Sequence, residues 1–595
     1  MKILVFAPHS QIWKHAFPEA VLVESLMKSN HEIIYVRCSG FMEKHCIPMI
    51  SSHISFDASN KVKNQICKEC KANSSLIVEK FNFPNIDLGN FLDKDAELTV
   101  NNIIKSTTQS NFQKIKVDDI KVGELALYQV LLRYKQSKVN SFSDQAWQEY
   151  LSQLEISLKT FFSLKKIFKI YKPDKVIQYS GLYSVNAVCR QLAEKNNISP
   201  YFLHAGINQR DRLQHLIIAK GHTFDFIKSL FISWQEKYRD LTCRRDSIKL
   251  VANNFIDIIN SKSFLSYSKS KSNNHFDIYR KFNISKEKKV IVAILSSYDE
   301  HLAADAVGAY HHHIKPIFKT QIEWVKTLID FISKRNDLFL IIRVHPREFS
   351  TKREKQSAII SQHATDLKAE FNKIPNNAVI NWPTDQVSFY DLLEQTNLFL
   401  NAFSTSAREI TMLGLPVLTY HNEDVLEPVS INYKGKSIEK YLEQIDILLE
   451  KRFDAKRIIS AFRWRALEQV YSHVSIAESV KEKDDLLNIY EKILKKLKRY
   501  INKTFPLFSQ KNDCNSRSIN LKAKTQIDNL LKMNESNIAN VINFSNDQII
   551  NKNQEINLIK VEIKRIMTYL YTNQVKSPIK GSLRAYLSEY LKDKS

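Results

Sequence analysis

The sequence predicts an α/β protein with two doubly wound domains, and three observations lead to this fold class. Short apolar runs alternate with amphipathic helical stretches along residues 1–260, and the same alternation returns along residues 277–480. Residues 261–276 between them are rich in Ser, Lys and Asn, the composition of a linker. Hydrophobic residues make up 44% of the chain, enough to build large cores, which excludes a largely disordered protein.

In the first series, the predicted strands are short apolar runs bounded by turn residues. They lie at 2–7, 33–36 and 175–178, and in the runs SPYFLHAG and SLFIS near Tyr201 and Leu230. A helix is predicted over residues 16–27, between the first two strands. Strands that alternate with helices favour a parallel sheet covered on both faces.

The second series repeats this pattern. Its predicted strands are 288–295, 338–344, 377–381, 397–401 and 415–420, and its predicted helices are 317–332, 388–394 and 406–413. Two such domains joined by a linker leave a cleft at the carboxyl ends of both sheets, where open α/β sheets bind ligands. We therefore expect one domain over 1–260 and a second over 277–480, with a ligand-binding cleft between them.

Residues 481–595 are predicted to form a basic helical tail. Residues 486–501 place leucine and isoleucine among lysine and arginine, a pattern that suits an anionic membrane surface as well as a solvated helix packed on the body. A second apolar seam steps by three and four along Ile556, Ile559, Ile563, Ile566 and Leu570. We expect this seam either to pack within the chain or to pair two subunits as a homo-oligomer.

Charge and targeting signals limit the partners and the compartment. The 87 Lys and Arg against 63 Asp and Glu give a net charge of +24, which favours phosphates, nucleic acid or anionic lipid. No interleaved aromatic and basic motif accompanies the charge, so nucleic acid is not expected as a partner. The opening MKILVFAPHS lacks a signal-peptide core, and no window has about 18 apolar residues. A cytoplasmic protein is expected, with a peripheral position on the inner face of the cytoplasmic membrane as the alternative.

Cysteine spacing raises the question of a metal. Four of the seven cysteines lie within a short stretch, at Cys38, Cys46, Cys67 and Cys70. The closing C-x2-C matches half of a tetrahedral zinc site, while the seven-residue gap before it is looser than usual. A structural zinc and reduced thiols in an insertion of the first domain are the two alternatives. The three histidines at 311–313 are not expected to bind one ion, because adjacent helical side chains point in different directions.

The sharpest local motif is IIRVHPRE, residues 341–348, at the end of a predicted strand. His345 can donate to an anionic phosphate, and Pro346 fixes the turn because its φ is locked and it lacks an N–H group. Arg343 and Arg347 supply charge that suits phosphate oxygens. The alternative is a loop detail with no ligand.

The second motif is NAFSTSAREITMLGLPVL, residues 401–418. Ser404, Thr405 and Ser406 lie where a strand gives way to a helix, so hydroxyls and unpaired N–H groups would converge on an anion. The alternative is ordinary N-capping. Glu409 suits the first helical turn, and near the cleft it would also accept ribose hydroxyls.

Candidates for proton transfer lie on both sides of the predicted cleft. In SSYDEHLAADAVG, Ser297 is a candidate donor contact, and Asp299 is a candidate hydroxyl contact or general base, with a solvated loop acid as the alternative. His15 and His204 follow first-domain strands and could deprotonate an acceptor hydroxyl. A purely structural role is the alternative for each histidine.

The pair RVHPRE and STSAREITMLGLPVL, about 60 residues apart, resembles bacterial capsule and surface-polysaccharide glycosyltransferases of the GT-B fold. That group includes enzymes that use CMP-activated acidic sugars, and the CDP-glycerol polyol-phosphate transferases are more distant relatives. The resemblance covers roughly residues 1–480 and leaves the tail without a counterpart. It implies that 1–260 is an acceptor domain and that 277–480 is a nucleotide-sugar donor domain. It implies that His345 contacts the donor phosphate or nucleotide, that residues 404–406 bind phosphate, and that Glu409 contacts ribose.

Three functions follow as hypotheses. The first is a glycosyltransferase that moves a sugar from a nucleotide-activated donor to a glycan or glycolipid acceptor of bacterial capsule or lipopolysaccharide. Cationic side chains and a helix start would stabilise the leaving phosphate there without a cofactor. The second is a CDP-polyol-phosphate transferase, as in teichoic-acid synthesis. The third is a basic scaffold that binds membrane or nucleic acid.

Overall fold

The structure is a computed structural model. It describes residues 1–139, 142–262, 267, 269–272, 276–310, 317–350, 359–421, 427–428, 430–477, 519–544, 550–572 and 577–592. The histidines at 311–313 and the basic segment 486–501 lie outside the described residues. Within them, no helix has both the length and the apolar character needed to cross a bilayer.

The strands form two sheets. The strands are β1 (Lys2–Phe6), β2 (Glu32–Arg37), β3 (Asn85–Asp87), β4 (Lys175–Tyr179), β5 (Ser199–Ala205), β6 (His215–Lys220), β7 (Lys289–Ile294), β8 (Leu338–Arg343), β9 (Ala378–Asn381), β10 (Leu398–Asn401), β11 (Val417–Thr419), β12 (Tyr433–Lys434) and β13 (Val474–Ser475).

Helices connect and cover these strands. The first-domain helices are α1 (Trp13–Met27), α2 (Ile47–Ser51), α3 (Asn60–Phe81), α4 (Lys94–Ser106), α5 (Val122–Leu125), α6 (Tyr128–Arg133), α7 (Asp144–Tyr171), α8 (Ser184–Lys195), α9 (Thr223–Ser233) and α10 (Arg245–Ile259). The later helices are α11 (Ile278–Lys281), α12 (Tyr298–Ala306), α13 (Gln321–Ser333), α14 (Gln362–Glu370), α15 (Phe389–Leu392), α16 (Ser406–Met412), α17 (Ile438–Leu449), α18 (Ala455–Ala466), α19 (Leu521–Lys532), α20 (Lys552–Leu570) and α21 (Leu583–Lys592).

The first sheet has the order β13-β6-β5-β4-β1-β2-β3. Its strands from β3 to β5 run parallel, whereas β6 and β13 are antiparallel to their neighbours. Because the chain leaves β1 toward β2 and later returns to its other side at β4, the strand order reverses between β1 and β4. A crevice opens at the carboxyl end of a sheet at such a reversal.

The second sheet is parallel and has the order β12-β11-β10-β7-β8-β9. Its order reverses between β7 and β10, so the segments that follow Ile294 and Asn401 lie at the switch point. Arg343 closes β8, the strand on the other side of β7. The predicted fold class is therefore confirmed: two doubly wound, mostly parallel sheets with helices on their faces, in a GT-B-like architecture.

Two details of the first sheet differ from prediction. The SLFIS run, predicted as a strand near Leu230, is the end of α9. Leu230 and Phe226 are buried one helical turn apart, and a short apolar run does not by itself distinguish a strand from a buried helix. The strand next to β5 is instead β6, whose HLIIAK run is antiparallel to it.

The described part of the tail packs back on the body. Before the tail begins, β13 of the segment predicted as donor domain already returns to the first sheet and pairs with β6. In α19, Ile527, Leu530 and Leu531 are buried in the first-domain core.

The helix α20 carries the apolar seam that was predicted to pack in cis or to pair subunits. Its side chains Ile559, Ile563, Ile566 and Leu570 are buried in the core that also contains α10 and α18. The seam therefore packs within the chain, and this face is not available for a second subunit.

Candidate functional site

A cavity of about 180 Å³ lies between the two domains, at the carboxyl ends of β7, β8 and β10. Polar side chains of the second domain form one wall: Arg343, His345, Ser404, Thr405, Ser406, Arg408 and Glu409. The facing wall comes from α10 and from the loop after β5, and is mostly apolar: Ile207, Val251, Phe255 and Ile258, with the amides of Gln209 and Asn254. The structure thus places His345 and residues 404–406 around one space.

Arg343 gives this cavity a buried positive charge. Its guanidinium donates from Nη1 to the Asn381 Oδ1 at 2.7 Å and from Nη2 to the Val387 carbonyl at 3.2 Å. Neither acceptor is charged, and no carboxylate among the described residues forms an ion pair with it. Burial lowers the pKa of Arg343 to about 10. Asp391 and Asp385 offset this burial in part, but both hydrogen-bond acceptors of the guanidinium are neutral, so an anionic ligand in the cavity would stabilise the cation further.

His345 follows β8 and presents a neutral imidazole. Its Nδ1 accepts the backbone N–H of Arg347 at 3.3 Å, so the ring proton lies on Nε2. Pro346 begins the 3₁₀ turn Pro346–Glu348 directly after it. Burial lowers the pKa of His345 to about 4, against the opposing effect of Glu300. At neutral pH the ring is therefore a hydrogen-bond donor rather than a cation.

The hydroxyl cluster lies at the start of α16. Ser404 Oγ donates to Ser406 Oγ at 3.1 Å and accepts the Ser406 N–H at 3.3 Å. The Thr405 side chain makes no capping hydrogen bond, whereas the Ser404 hydroxyl, which accepts the Ser406 N–H, agrees with the capping alternative. Since α16 has only seven residues, its dipole is a weaker source of anion affinity than was expected, and the arginines supply most of the charge.

Glu409 lines the cavity and is already engaged within the protein. The Tyr390 hydroxyl donates to its Oε2 at 2.7 Å. Burial raises the pKa of Glu409 to about 7, although the Tyr390 hydrogen bond and the nearby Arg465 and Arg408 lower it in part. As a lining residue, Glu409 presents a carboxyl group that is a candidate acceptor for a ligand hydroxyl.

The raised pKa of Glu409 predicts a pH-dependent cost. Folding raises the pKa of the Glu409 carboxyl from 4.5 to about 7, so its protonated form stabilises the folded state below pH 4.5. This stabilisation is lost as the pH rises through about 7, where the buried carboxyl has to ionise. We expect Glu409→Gln to gain thermal stability relative to the wild type as the pH increases from 5 to 8, measured by differential scanning fluorimetry. Glu443→Gln, at an exposed glutamate, is the matched control. A difference from the wild type that does not change with pH would contradict this assignment.

Two further arginines at the cavity were not identified from the sequence. Arg408 and Arg465 both pair with the buried Glu468, on the π-helical turn Leu467–Tyr471 that follows α18. The side-chain amide oxygen of Gln469, on the same turn, accepts hydrogen bonds from the Arg465 guanidinium and from the side-chain amide of Asn254 on α10. Arg408 belongs to the motif STSAREI, so its charge beside the hydroxyl cluster could have indicated from the sequence that it lines an anion site. The position of Arg465 depends on tertiary packing and has no such local indication.

Three predicted site residues of the second domain do not line the cavity. Arg347, predicted to bind the donor, pairs with Asp299 at 2.6 Å instead. Asp299 is 2% exposed and lies in the first turn of α12, where a loop was expected and a solvated loop acid was the alternative. Burial raises its pKa and the Arg347 guanidinium lowers it in part. Ser297 precedes this helix and donates to the Glu300 carboxylate.

The two candidate histidines of the first domain lie near each other, away from the cavity lining. His15 of α1 stacks on Tyr179 with ring centroids 4.2 Å apart, and the His204 ring of β5 lies tilted to the same tyrosine at 5.8 Å. Burial lowers the pKa of His15 to about 3, with a further contribution from His204, whose own pKa burial also lowers. Both are neutral, the form in which a histidine accepts a proton.

The four clustered cysteines surround one small cavity of the first domain. Cys38, Cys46, Cys67 and Cys70 all line it. Among the described residues, however, no three His, Cys, Asp or Glu side chains are placed so that they could hold one metal ion. Cys67 and Cys70 lie on the helix α3 rather than on a loop, and burial raises the pKa of all four thiols. A structural zinc at these cysteines stays a prediction.

Two doubly wound domains that enclose a cavity with one cationic and one apolar wall define a GT-B-like, two-domain class of protein. No family model and no curated protein matches the chain.

Solved structures of nucleotide-sugar enzymes are similar to it. The spinosyn rhamnosyltransferase SpnG, complexed with thymidine diphosphate, is 11% identical over 80% of this chain and 98% of that one, with a TM-score of 0.23. The UDP-GlcNAc 2-epimerase of Methanocaldococcus jannaschii is 14% identical over 78% of this chain and 98% of that one, with a TM-score of 0.24. The Kdo transferase KpsC of Thermosulfurimonas dismutans is 13% identical over 49% of this chain and 79% of that one, with a TM-score of 0.29. These TM-scores are low, and the fold assignment rests on the strand orders rather than on them.

Proposed function

We propose that this protein is a glycosyltransferase that moves a sugar from a nucleotide-activated donor to a glycan or glycolipid of bacterial capsule or lipopolysaccharide. One observation carries the proposal: Arg343, a buried cation without a carboxylate partner, lines the same interdomain cavity as His345, Ser404 and Ser406. This arrangement suits the phosphate of a nucleotide. The choice of acceptor rests on the motif resemblance alone.

The two walls suggest how such a donor would lie. The phosphates would accept hydrogen bonds from Arg343, from His345 Nε2 and from the serine hydroxyls, and the base would rest on the apolar side chains of α10. As the bond to the sugar breaks, negative charge grows on the leaving phosphate. Donors that are already fixed in a site shielded from water stabilise that charge more than water does.

The acceptor is proposed to approach from the carboxyl edge of the first sheet. His15 and His204 lie near that edge and are the candidate bases for the attacking hydroxyl. Because burial lowers the pKa of both, this role requires that the bound substrates raise the pKa of the histidine that takes the proton. Association with an anionic membrane surface through residues 486–501 remains a prediction, as does a structural zinc at the cysteines.

A nucleotide panel tests the proposal directly. We expect one of CMP, CDP, UDP or GDP to raise the melting temperature of the full chain, since a ligand that binds only the folded state stabilises it. His345→Ala should weaken the binding of that nucleotide by about tenfold, the value of one hydrogen bond to a charged group. His363→Ala, at a buried histidine outside the cavity lining, is the matched control.

Two outcomes would count against the proposal. If none of the four nucleotides stabilises the protein at millimolar concentration, the cavity is not a nucleotide site. If a nucleotide binds but the reaction product carries additional phosphorus by mass spectrometry, the enzyme transfers a polyol phosphate rather than a sugar.

A further inference from the structure

The side chain of Arg347 connects the His345 turn to the first domain. Its Nη2 donates to Asp299 Oδ2 at 2.6 Å and to the backbone carbonyl of Leu132 at 3.3 Å. Leu132 belongs to α6, so one guanidinium bridges the two domains. Because Asp299 is almost completely buried, this ion pair has a defined geometry and is shielded from solvent.

A lysine of the first domain contacts the other end of the same turn. Lys135 is 2% exposed, and its Nζ donates to the carbonyls of Phe349 at 3.1 Å and Ile359 at 3.3 Å. Its backbone carbonyl also accepts the N–H of Gln362 at 3.2 Å. Its φ of 47° lies in the left-handed region, which a non-glycine residue holds only where its surroundings fix it.

These contacts bear directly on the imidazole. The turn Pro346–Glu348 closes where the Phe349 N–H donates to the Pro346 carbonyl at 3.2 Å, next to the carbonyl that Lys135 contacts. At its start, the Arg347 N–H donates to His345 Nδ1. The first domain therefore contacts this turn twice, through the Leu132 carbonyl at Arg347 and through Lys135 at Phe349. The same turn determines which nitrogen of His345 carries the proton.

We propose that Lys135, Arg347 and Asp299 are positioning residues through which docking of the first domain sets the ring orientation and tautomer of His345. The role of His345 toward a phosphate rests on the proposed function, whereas the positioning itself does not. When the two domains close, the same contacts then also bring the His345 ring into the orientation and tautomer that donate to the ligand. Asp299, considered as a general base from the sequence, acts here by holding Arg347.

The test follows His345 in the absence of ligand. In full-length protein labelled with ring-¹⁵N histidine, the signals that disappear in His345→Gln identify this residue by NMR. The wild type should show a neutral ring with the proton on Nε2. In Lys135→Met, we expect a mixture of tautomers and a His345 pKa about one pH unit higher, as the ring becomes more solvated. Glu300, Arg343, Arg347 and Tyr267 face the ring and are unchanged in this variant.

Lys138→Met is the matched control on the same segment. Lys138 is 60% exposed and pairs with Asp366 at 3.1 Å, so its loss removes one interdomain ion pair without contacting the turn. We expect its His345 signals to match the wild type. Identical His345 signals in Lys135→Met and the wild type would overturn the proposal, and so would equal changes in both lysine variants.

Asp299→Asn separates positioning from proton transfer and covers the case in which Lys135→Met does not fold. A positioning role predicts altered His345 signals in the unliganded Asp299→Asn protein, whereas a general base would leave them unchanged. Because these spectra need no nucleotide, failure of the nucleotide panel would overturn the proposed function and leave this measurement decisive. Unchanged His345 signals in Asp299→Asn would refute the positioning role.

Discussion

Replacement of Arg343 by methionine is expected to weaken nucleotide binding by about 100-fold, or about 2.7 kcal/mol. Methionine has a similar length and is apolar, so it suits the buried position while removing the charge that a phosphate would neutralise. The unfavourable burial of the guanidinium disappears as well, so the unliganded variant should not lose much stability. Isothermal titration calorimetry with the stabilising nucleotide of the panel measures the first effect, and thermal unfolding measures the second.

Arg335→Met is the control for this substitution. Arg335 lies just before the opposite end of β8, and its guanidinium pairs with Asp337 at 2.9 Å and Asp446 at 2.7 Å. Its partners are carboxylates at the protein surface, so nucleotide affinity should remain at the wild-type value. Equal affinities in the Arg343 and Arg335 variants would contradict the assignment of Arg343 to the phosphate.

Glu555→Ala is expected to lower the free energy of unfolding by about 3 kcal/mol. Glu555 is fully buried at the start of α20 and accepts the Arg463 Nη2 at 2.6 Å and the Cys243 N–H at 2.7 Å. Alanine leaves that guanidinium and that amide without their acceptor. It also loosens the contact of α20 with α18 and with the segment before α10. Urea denaturation followed by circular dichroism measures the change.

Glu443→Ala provides the comparison at the surface. Glu443 is 55% exposed and pairs with Lys440 one turn away at 2.7 Å. Exposed pairs of this kind contribute little, so a change within about 0.5 kcal/mol is expected. If both variants unfolded at the same urea concentration, the buried ion pair would not be what anchors α20.

The sequence was most informative where function depends on strand ends. His345 and Ser404 were predicted to follow two strands of one parallel sheet, and such ends share an edge whatever the length of the intervening chain. In the structure β8 and β10 flank β7, which brings both residues to the switch point. Strand patterns and turn residues are local signals, so this part of the arrangement was accessible from the sequence.

Residue type alone was less informative about roles. Arg347 and Asp299 have the chemistry of a phosphate ligand and a base, yet they neutralise each other because α12 and the turn 346–348 lie side by side. Arg465 reaches the cavity only through the packing of α18 and its π-helical turn. These relations join residues far apart in the chain, and no periodicity within either segment encodes them.

The return of the chain to the first sheet at Val474–Ser475 has a mechanical consequence. The backbone crosses from one domain to the other before β7 and crosses back after α18. Two covalent crossings limit how far the domains can separate, so we expect the cavity to widen by a hinge rotation of one domain against the other. We expect ligand entry and release to depend on this rotation.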